Sequence, residues 1–221
     1  VRQAMSYAVD YQAIIDNIFN GTAERVAGFV VPGNLGYDPS IEPYPYDPEK
    51  ARQLLEEAGY PDGFEISMAG PSDTYINFEE VLQAVVGYWE DIGIEVDLTF
   101  MESGRYWDLE SQRKLPPLFG DSWSSSTGEA FPRLVGSVGG KDASYASWLD
   151  PKLVDMVEEV KLTPDQQERA EVYTEILRYM KEDPPFIYLY QPLAFEATRD
   201  RVVGYEPRVS EQYYLKGVEI K

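Results

Sequence analysis

The sequence contains neither cysteine nor histidine among its 221 residues. Disulfides, thiolate zinc sites, cysteine nucleophiles, serine–histidine–aspartate triads and histidine-ligated metal sites are therefore excluded. Without thiols, the chain carries no sign of its redox compartment. No run of about 18 apolar residues occurs, so no membrane-spanning helix is predicted. We expect no metal and no cofactor, and these absences remove many classes of enzyme.

Basic residues are also scarce. The chain has 19 Lys and Arg but 39 Asp and Glu, which gives a formal net charge of -20. A field of that sign repels nucleic-acid phosphates and anionic lipid headgroups. We therefore expect no nucleic-acid partner. The chain begins at Val1 inside an apparent helix, without an initiator Met, a basic segment or an apolar signal core. We expect it to be a piece of a longer protein.

What the chain does contain fits a globular fold with a sizeable core. Hydrophobic residues make up 43% of it and charged residues 26%, and its length suits one large domain or two small ones. The 17 tyrosines are many. They suit either a tyrosine-rich core or a surface that must be apolar and hydrogen-bonding at once. Composition leaves both interpretations open.

Apolar periodicity, caps and breakers predict helices and strands in alternation. The predicted helices are 1–20, 47–59, 77–93, 105–112, 150–161 and 163–181, and the predicted strands are 64–69, 94–100, 118–120, 186–190, 193–198 and a weaker tail at 213–220. Residues 22–46 are broken by Pro and Gly and predict a long ordered loop. No repeat or linker divides the chain, so one α/β domain is the simplest account.

The most informative stretch begins with a large aromatic residue and continues with four hydroxyls, namely Trp123, Ser124, Ser125, Ser126 and Thr127. Ser126 and Glu129 fit a capping box, which would start a helix here. Free backbone N–H groups at that helix start could also hold a ligand carboxylate or carbonyl while Trp123 stacks beside it. The two interpretations are compatible, and both are kept.

Other candidate ligand contacts lie in loops that α/β folds place at the ends of their strands. They are Pro32 and Tyr37 in the first loop, Ser72, Asp73 and Tyr75 after the first strand, and Arg105 and Arg113 before the tryptophan. Each of them alone is more often a packed or solvated surface residue. Their joint placement is what favours a binding role.

Two enzymatic interpretations have little support in the sequence. Residues 136–141 superficially resemble a nucleotide-binding loop, but Val135 and Asp142 stand where the pattern needs Gly and a hydroxyl residue. That stretch therefore predicts a flexible surface turn. A carboxylate-dependent hydrolase needs only two acids a few ångströms apart, and 39 acidic residues permit this without assigning any pair.

Four stretches in the first third of the chain form linked motifs. They are VRQAMSYAVD at 1–10, VPG at 31–33 with GYDP at 36–39, YPYDPEKA at 44–51 and LLEEAGYPDGF at 54–64. In this order they resemble the family 5 extracellular solute-binding proteins of ABC importers, the peptide and nickel binding group. Further matches at 89–93, 120–123, 185–190 and 199–205 extend the resemblance over essentially the whole chain.

The resemblance implies an α/β fold, a periplasmic-binding-protein-like lobe of type II in which a mixed sheet is flanked by helices. Residues 1–221 would be the single C-terminal lobe of a two-lobed receptor whose N-terminal lobe is missing. Such a receptor is no enzyme. It encloses a solute between its lobes and delivers it to an ABC permease in the membrane. It would be periplasmic, or extracellular and membrane-anchored, exported by a signal that this piece lacks.

Departures from the family pattern bear on the ligand. In dipeptide and oligopeptide receptors an Asp three residues after the Trp pairs with the ligand's amino group, but Ser126 stands there. An Arg that reads a dipeptide carboxylate is absent near Ser72. The stretch from Trp123 to Ala130 is similar to that of glutathione-type receptors, and the lack of His disfavours nickel. The leading hypothesis is a peptide-like solute, and the alternative is an oligosaccharide stacked on Tyr and Trp rings.

Overall fold

The fold is described by a computed structural model over residues 1–123, 127–140, 143, 149–208 and 213–221. The helices are α1 (Arg2–Tyr7), α2 (Tyr11–Ile18), α3 (Pro48–Glu57), α4 (Phe78–Glu90), α5 (Ser103–Ser111), α6 (Phe131–Ser137), α7 (Pro151–Leu162) and α8 (Gln166–Glu182). The strands are β1 (Ala23–Glu24), β2 (Phe64–Ser72), β3 (Ile94–Glu102), β4 (Leu118–Phe119), β5 (Gln191–Pro192), β6 (Val202–Val203) and β7 (Glu219–Ile220).

A parallel sheet of three strands, in the order β3-β2-β4, forms the centre of the fold. β2 and β3 stay in register from Phe64 beside Ile94 to Ser72 beside Glu102. Parallel neighbours need a crossover connection, and α4 supplies it between these two strands. The other strand pairs, β1 with β5 and β6 with β7, are short and antiparallel, and they lie outside this sheet. The three strands predicted at 64–69, 94–100 and 118–120 are confirmed.

Two hydrophobic clusters hold the described elements together. The first joins α1, α2, α3 and α4 to the sheet, and Trp89 anchors it because its indole Nε1 donates to the Met5 carbonyl at 3.0 Å. The second is built by α6, α7 and α8, with Val30 and Ile41 from the long loop packed against them. Tyr173, at 0% exposed, lies at the centre of the second cluster.

The predicted single helix at 1–20 is wrong, because α1 and α2 are separate helices. α1 ends at Tyr7, and α2 begins after Asp10, whose carboxylate accepts a hydrogen bond from the Ala13 backbone N–H at 3.0 Å. An Asp side chain satisfies an otherwise free N–H at a helix start, whereas inside a helix it competes with the backbone. The apolar periodicity continues from α1 into α2, so the sequence pattern gives no sign of the break between the two helices.

The predicted strand at 186–190 is also wrong, although its alternation is real. Phe186 and Tyr188 pack against the second cluster, whereas Ile187 and Leu189 pack against the first. The segment therefore lies between the two cores and buries both of its faces without pairing to another strand. Period-2 alternation reports which way side chains point, and it does not by itself supply a hydrogen-bonded neighbour.

The C-terminal segment is only partly as predicted. Residues 193–198 form no strand, and β5, which pairs with β1, ends just before them at Pro192. The predicted tail at 213–220 contributes β7, which pairs with β6. Residues 192–201 are exposed almost throughout. A strand is stabilised by a neighbour and by a buried face, and the described part of the chain gives this segment neither.

Candidate functional site

The candidate site lies at the carboxyl ends of β2 and β4, which are neighbours in the sheet. From β2 the chain passes through α4 to β3 on one side, and from β3 it passes through α5 to β4 on the other side. The connections thus leave in opposite directions at this end of the sheet, which is where α/β sheets commonly bind ligands. Tyr75 follows β2 and Trp123 follows β4, so both lie at this end.

Asp121 is the hydrogen-bonding centre of the site. Its Oδ1 accepts from the Tyr75 hydroxyl at 3.1 Å and from the Ser122 backbone N–H at 2.6 Å. Its Oδ2 accepts from the Trp123 indole Nε1 at 2.9 Å. One carboxylate therefore fixes the orientation of both candidate aromatic residues, although they are far apart in sequence.

Aromatic rings from other parts of the chain support Trp123. Phe29, from the first loop, stacks on its ring at a centroid distance of 4.5 Å and an interplanar angle of 25°. Phe186 meets it edge-on at 5.3 Å. Trp123 as a whole residue is half-buried. The residue is held in place without being sealed inside the protein.

Glu110 lies behind this site and is 3% exposed. Burial, together with the neighbouring Asp121, raises the pKa of the Glu110 carboxyl to about 8. Tyr106, on the same helix, is fully buried and donates its hydroxyl hydrogen to the Gly120 carbonyl at 2.6 Å. α5 is thus tied to the end of β4 by two polar side chains.

The first loop meets the segment after Trp123. The Leu35 backbone N–H donates to the Gly128 carbonyl at 2.9 Å. Pro32 and Tyr37 are exposed beside this contact, and so is Thr127, whose hydroxyl bonds the Glu129 backbone. The structure therefore brings Pro32, Tyr37 and Thr127 to adjoining segments. Whether they contact a solute stays a prediction.

The helix start that the capping-box prediction placed at Ser126 is wrong. α6 begins only at Phe131, and the residue before it makes no side-chain cap bond. The Glu129 carboxylate accepts two bonds from Arg169, at 2.8 and 3.1 Å, and one from the Tyr173 hydroxyl at 2.9 Å. Glu129 therefore ties this segment to α8, and the helix start proposed to hold a ligand is not at this position.

The Glu129 cluster should stabilise the fold in a pH-dependent way. Hydrogen bonds from Arg169 lower the pKa of Glu129 below its usual value. A lowered pKa in the folded state means that stability is present above the unfolded pKa of about 4.3 and is lost as the pH falls through the folded value. Glu129→Gln should cost about 1–2 kcal/mol at pH 7 and less at pH 3.

Urea denaturation at both pH values measures this difference. Glu175→Gln, an exposed position on the same helix, is the matched control and should change stability little at either pH. Equal losses for Glu129→Gln at pH 7 and pH 3 would contradict the assignment of the stability to the ionised carboxylate.

The remaining predicted contacts are scattered. Ser72 is the half-buried last residue of β2, and Asp73 is exposed just beyond it. Arg105 is exposed at the start of α5. The Arg113 guanidinium donates to the Ala143 carbonyl. Residues 124–126, predicted as Ser124, Ser125 and Ser126 contacts, lie outside the described residues.

Sequence reasoning missed Asp121, Glu110 and Phe29. Asp121 had a usable signal, since an acid that directly follows a strand at the carboxyl edge of a parallel sheet is well placed to bond side chains from neighbouring loops. Glu110 had none, because its position on a short helix looks like any solvated acid. The contact of Phe29 with Trp123 spans nearly a hundred residues and follows only from the fold.

The site offers rings and hydrogen-bond donors, without the spacing that glycoside hydrolysis needs. Glu110 and Asp121 converge, but their carboxyls lie close enough to perturb the pKa of each other. Hydrolytic carboxyl pairs stand about 5 Å or more apart, with the substrate between them. Among the described residues no group of three or more acids could hold a metal ion, and no helix is long and apolar enough to cross a membrane.

Two concavities in the described part of the chain lie away from this site. One borders the first residues of α1 and the start of β2, and the other lies between α3 and the turn after α4. Neither is lined by Tyr75 or Trp123. Tyr75 and Trp123, which form a ring surface at the carboxyl ends of β2 and β4, thus lie outside both concavities.

Comparison with known proteins shows which family this chain resembles. The profile of the bacterial extracellular solute-binding proteins, family 5 Middle, matches residues 1–145. The dipeptide-binding protein of Escherichia coli K12 is 28% identical over 232 residues, which cover 100% of this chain and 42% of that protein. The glutathione-binding protein GsiB of Salmonella paratyphi A is 34% identical over 214 residues, covering 93% of this chain and 41% of that protein.

A solved structure shows the same fold. HbpA2 from Haemophilus parasuis superposes with a TM-score of 0.87 at 24% sequence identity, over 100% of this chain and 44% of that one. The predicted fold class, a lobe of the periplasmic-binding-protein kind with a sheet flanked by helices, is confirmed, although the central sheet is parallel and not mixed. The chain spans about two fifths of the length of the curated relatives it matches.

Proposed function

The chain belongs to the bacterial extracellular solute-binding proteins of family 5, and we propose that it is the C-terminal lobe of a two-lobed receptor that captures a peptide-like solute for an ABC importer. The observation that carries this proposal is the ring surface at Trp123, held by Asp121 and backed by Phe29. A half-buried indole beside fixed hydrogen-bond groups suits reversible binding of an amide-rich solute. The names of the dipeptide-binding and glutathione-binding relatives support the peptide class.

Exposed apolar residues in the C-terminal segment support a second lobe. Phe195 is 74% exposed, Tyr213 is 75% and Ile220 is 71%. Soluble proteins rarely leave large apolar side chains of one segment uncovered unless another surface meets them. The remaining three fifths of the length of the relatives is enough to supply that surface. We therefore expect the C-terminal segment to pack against the missing half.

A ring surface formed by one lobe is expected to bind a solute together with a second lobe that closes over it. A ligand that touches both lobes binds the closed state more tightly than the open one, and a difference of a few kcal/mol is enough to shift the population. One lobe alone offers half of the contacts and should bind weakly. The proposed partners are the solute, the missing lobe and a membrane permease, and the proposed location is outside the cytoplasmic membrane.

Isothermal titration calorimetry of the whole protein tests the function. We expect a dissociation constant in the micromolar range or below for at least one member of a panel of dipeptides, tripeptides and glutathione. A panel of oligosaccharides tests the alternative ligand class. Heat with sugars and none with any peptide would overturn the peptide proposal, and turnover of a bound solute would overturn the receptor proposal altogether.

A further inference from the structure

A buried proton lies next to the ring surface. The Glu110 carboxyl lies close enough to the Asp121 carboxyl for the two to interact, and a hydrogen bond between two carboxyls needs a proton on one of them, because ionised carboxylates only accept. Neither carboxyl takes part in an ion pair found in the described part of the chain. The pair therefore carries one proton and one negative charge.

The contacts of the two residues show which carboxyl is ionised. Asp121 accepts hydrogen bonds from Tyr75, Ser122 and Trp123, and such donors stabilise a negative charge. Glu110 is almost fully buried, and its Oε1 has no hydrogen-bond partner among the described residues. A neutral carboxyl tolerates an unbonded carbonyl oxygen far better than an ionised one does. The proton thus resides on Glu110, which donates it to Asp121.

We propose that Glu110 is a positioning residue, whose proton keeps Asp121 aligned to hold Tyr75 and Trp123, so that solute affinity falls when this proton is lost. Two neighbouring charged carboxylates would repel, and Asp121, the less buried of the two, is the one that would move toward solvent. Its movement would release the indole and phenol that it orients. The last step, solute affinity, rests on the proposed function, whereas the alignment does not.

The pH dependence follows from the groups around the pair. Burial raises the pKa of Glu110 to about 8, so the proton is present at pH 7 and absent by about pH 9.5. Tyr75, from the loop before α4, and Tyr106, from α5, interact with both acids. Burial raises the pKa of each phenol well above its ordinary value. Both phenols therefore stay neutral over this range, and Glu110 is the group that titrates.

Fluorine NMR of the whole protein labelled with 5-fluorotryptophan tests the alignment without any ligand. The Trp123 resonance is assigned by its loss in Trp123→Phe. We expect it to shift between pH 6.5 and 9.5 with a midpoint near 8, and to stay constant in Glu110→Gln, whose amide donates to Asp121 but cannot ionise. Asp108→Asn, an exposed acid on the same helix, is the matched control and should titrate like the unaltered protein.

A Trp123 resonance that does not change with pH would overturn the proposal, and so would the same titration in Glu110→Gln. Should Glu110→Gln fail to fold, the titration of the unaltered protein still tests the proposal, because a midpoint far from pH 8 would exclude Glu110 as the titrating group. Calorimetry with glutathione and the peptide panel completes it, with affinity about tenfold weaker at pH 9.5 than at pH 7. A titrating resonance with pH-independent affinity overturns the link to binding. A titrating resonance with no binding at all contradicts the proposed function and supports the alignment.

Discussion

Gly63→Ala should remove most of the stability of this fold. Gly63 has a φ of +78°, and a Cβ placed on it would lie 1.7 Å from the carbonyl oxygen of Gly93. That oxygen is backbone and also accepts from the Phe64 N–H at 3.3 Å, at the start of the pairing between β2 and β3. No rotamer relieves the overlap, so the two strand starts must separate. We expect a loss of about 4 kcal/mol or more, measured by urea denaturation.

Gly59→Ala is the matched control. Gly59 also has a positive φ, +87°, but nothing lies within 4 Å of its added Cβ. The free energy of unfolding of Gly59→Ala should fall by only about 1 kcal/mol, which is the cost of a left-handed conformation for a residue with a Cβ. If both variants lost the same amount, the backbone contact between Gly63 and Gly93 would not be what requires glycine there.

The sequence was sufficient for the central part of the fold because its signals there are local. Asp47 and Pro48 start α3 as a cap and a first-turn proline, and the alternation from Ile94 onward matches β3. These features depend on residues a few positions apart. The same local rules failed at 186–190, where alternation reflects two separate cores and not a paired strand.

The site was predictable only in part for the same reason. Trp123 and Tyr75 were identifiable as rings in loops after strands. Their common partner, Asp121, and the proton on Glu110 depend on the order of the strands, which places three loops at one edge. No short-range pattern specifies such a contact. The helix start predicted near Ser126 is wrong because α6 begins only at Phe131, and Glu129 pairs with Arg169 from a distant helix.

Trp123→Ala should weaken solute binding by the whole protein about 30-fold or more, because truncated tryptophans at binding centres commonly cost 2 kcal/mol or more. Trp123→Phe separates the ring from its N–H. It keeps a stacking face against Phe29 but loses the bond to Asp121, so we expect an intermediate loss. Calorimetry with the peptide panel measures both, and thermal unfolding shows whether either variant is misfolded.

Tyr60→Ala is the control for a general loss of aromatic surface. Tyr60 is 43% exposed and contacts Phe64 at the amino end of β2, which is the opposite end of the sheet from Trp123. Its removal should leave affinity unchanged. If Trp123→Ala bound peptides as tightly as the unaltered protein, or if Tyr60→Ala weakened binding as much, the solute would not sit on the ring surface. Because Asp121 orients both rings at the carboxyl ends of β2 and β4, the solute would then have to bind at another surface of the whole protein.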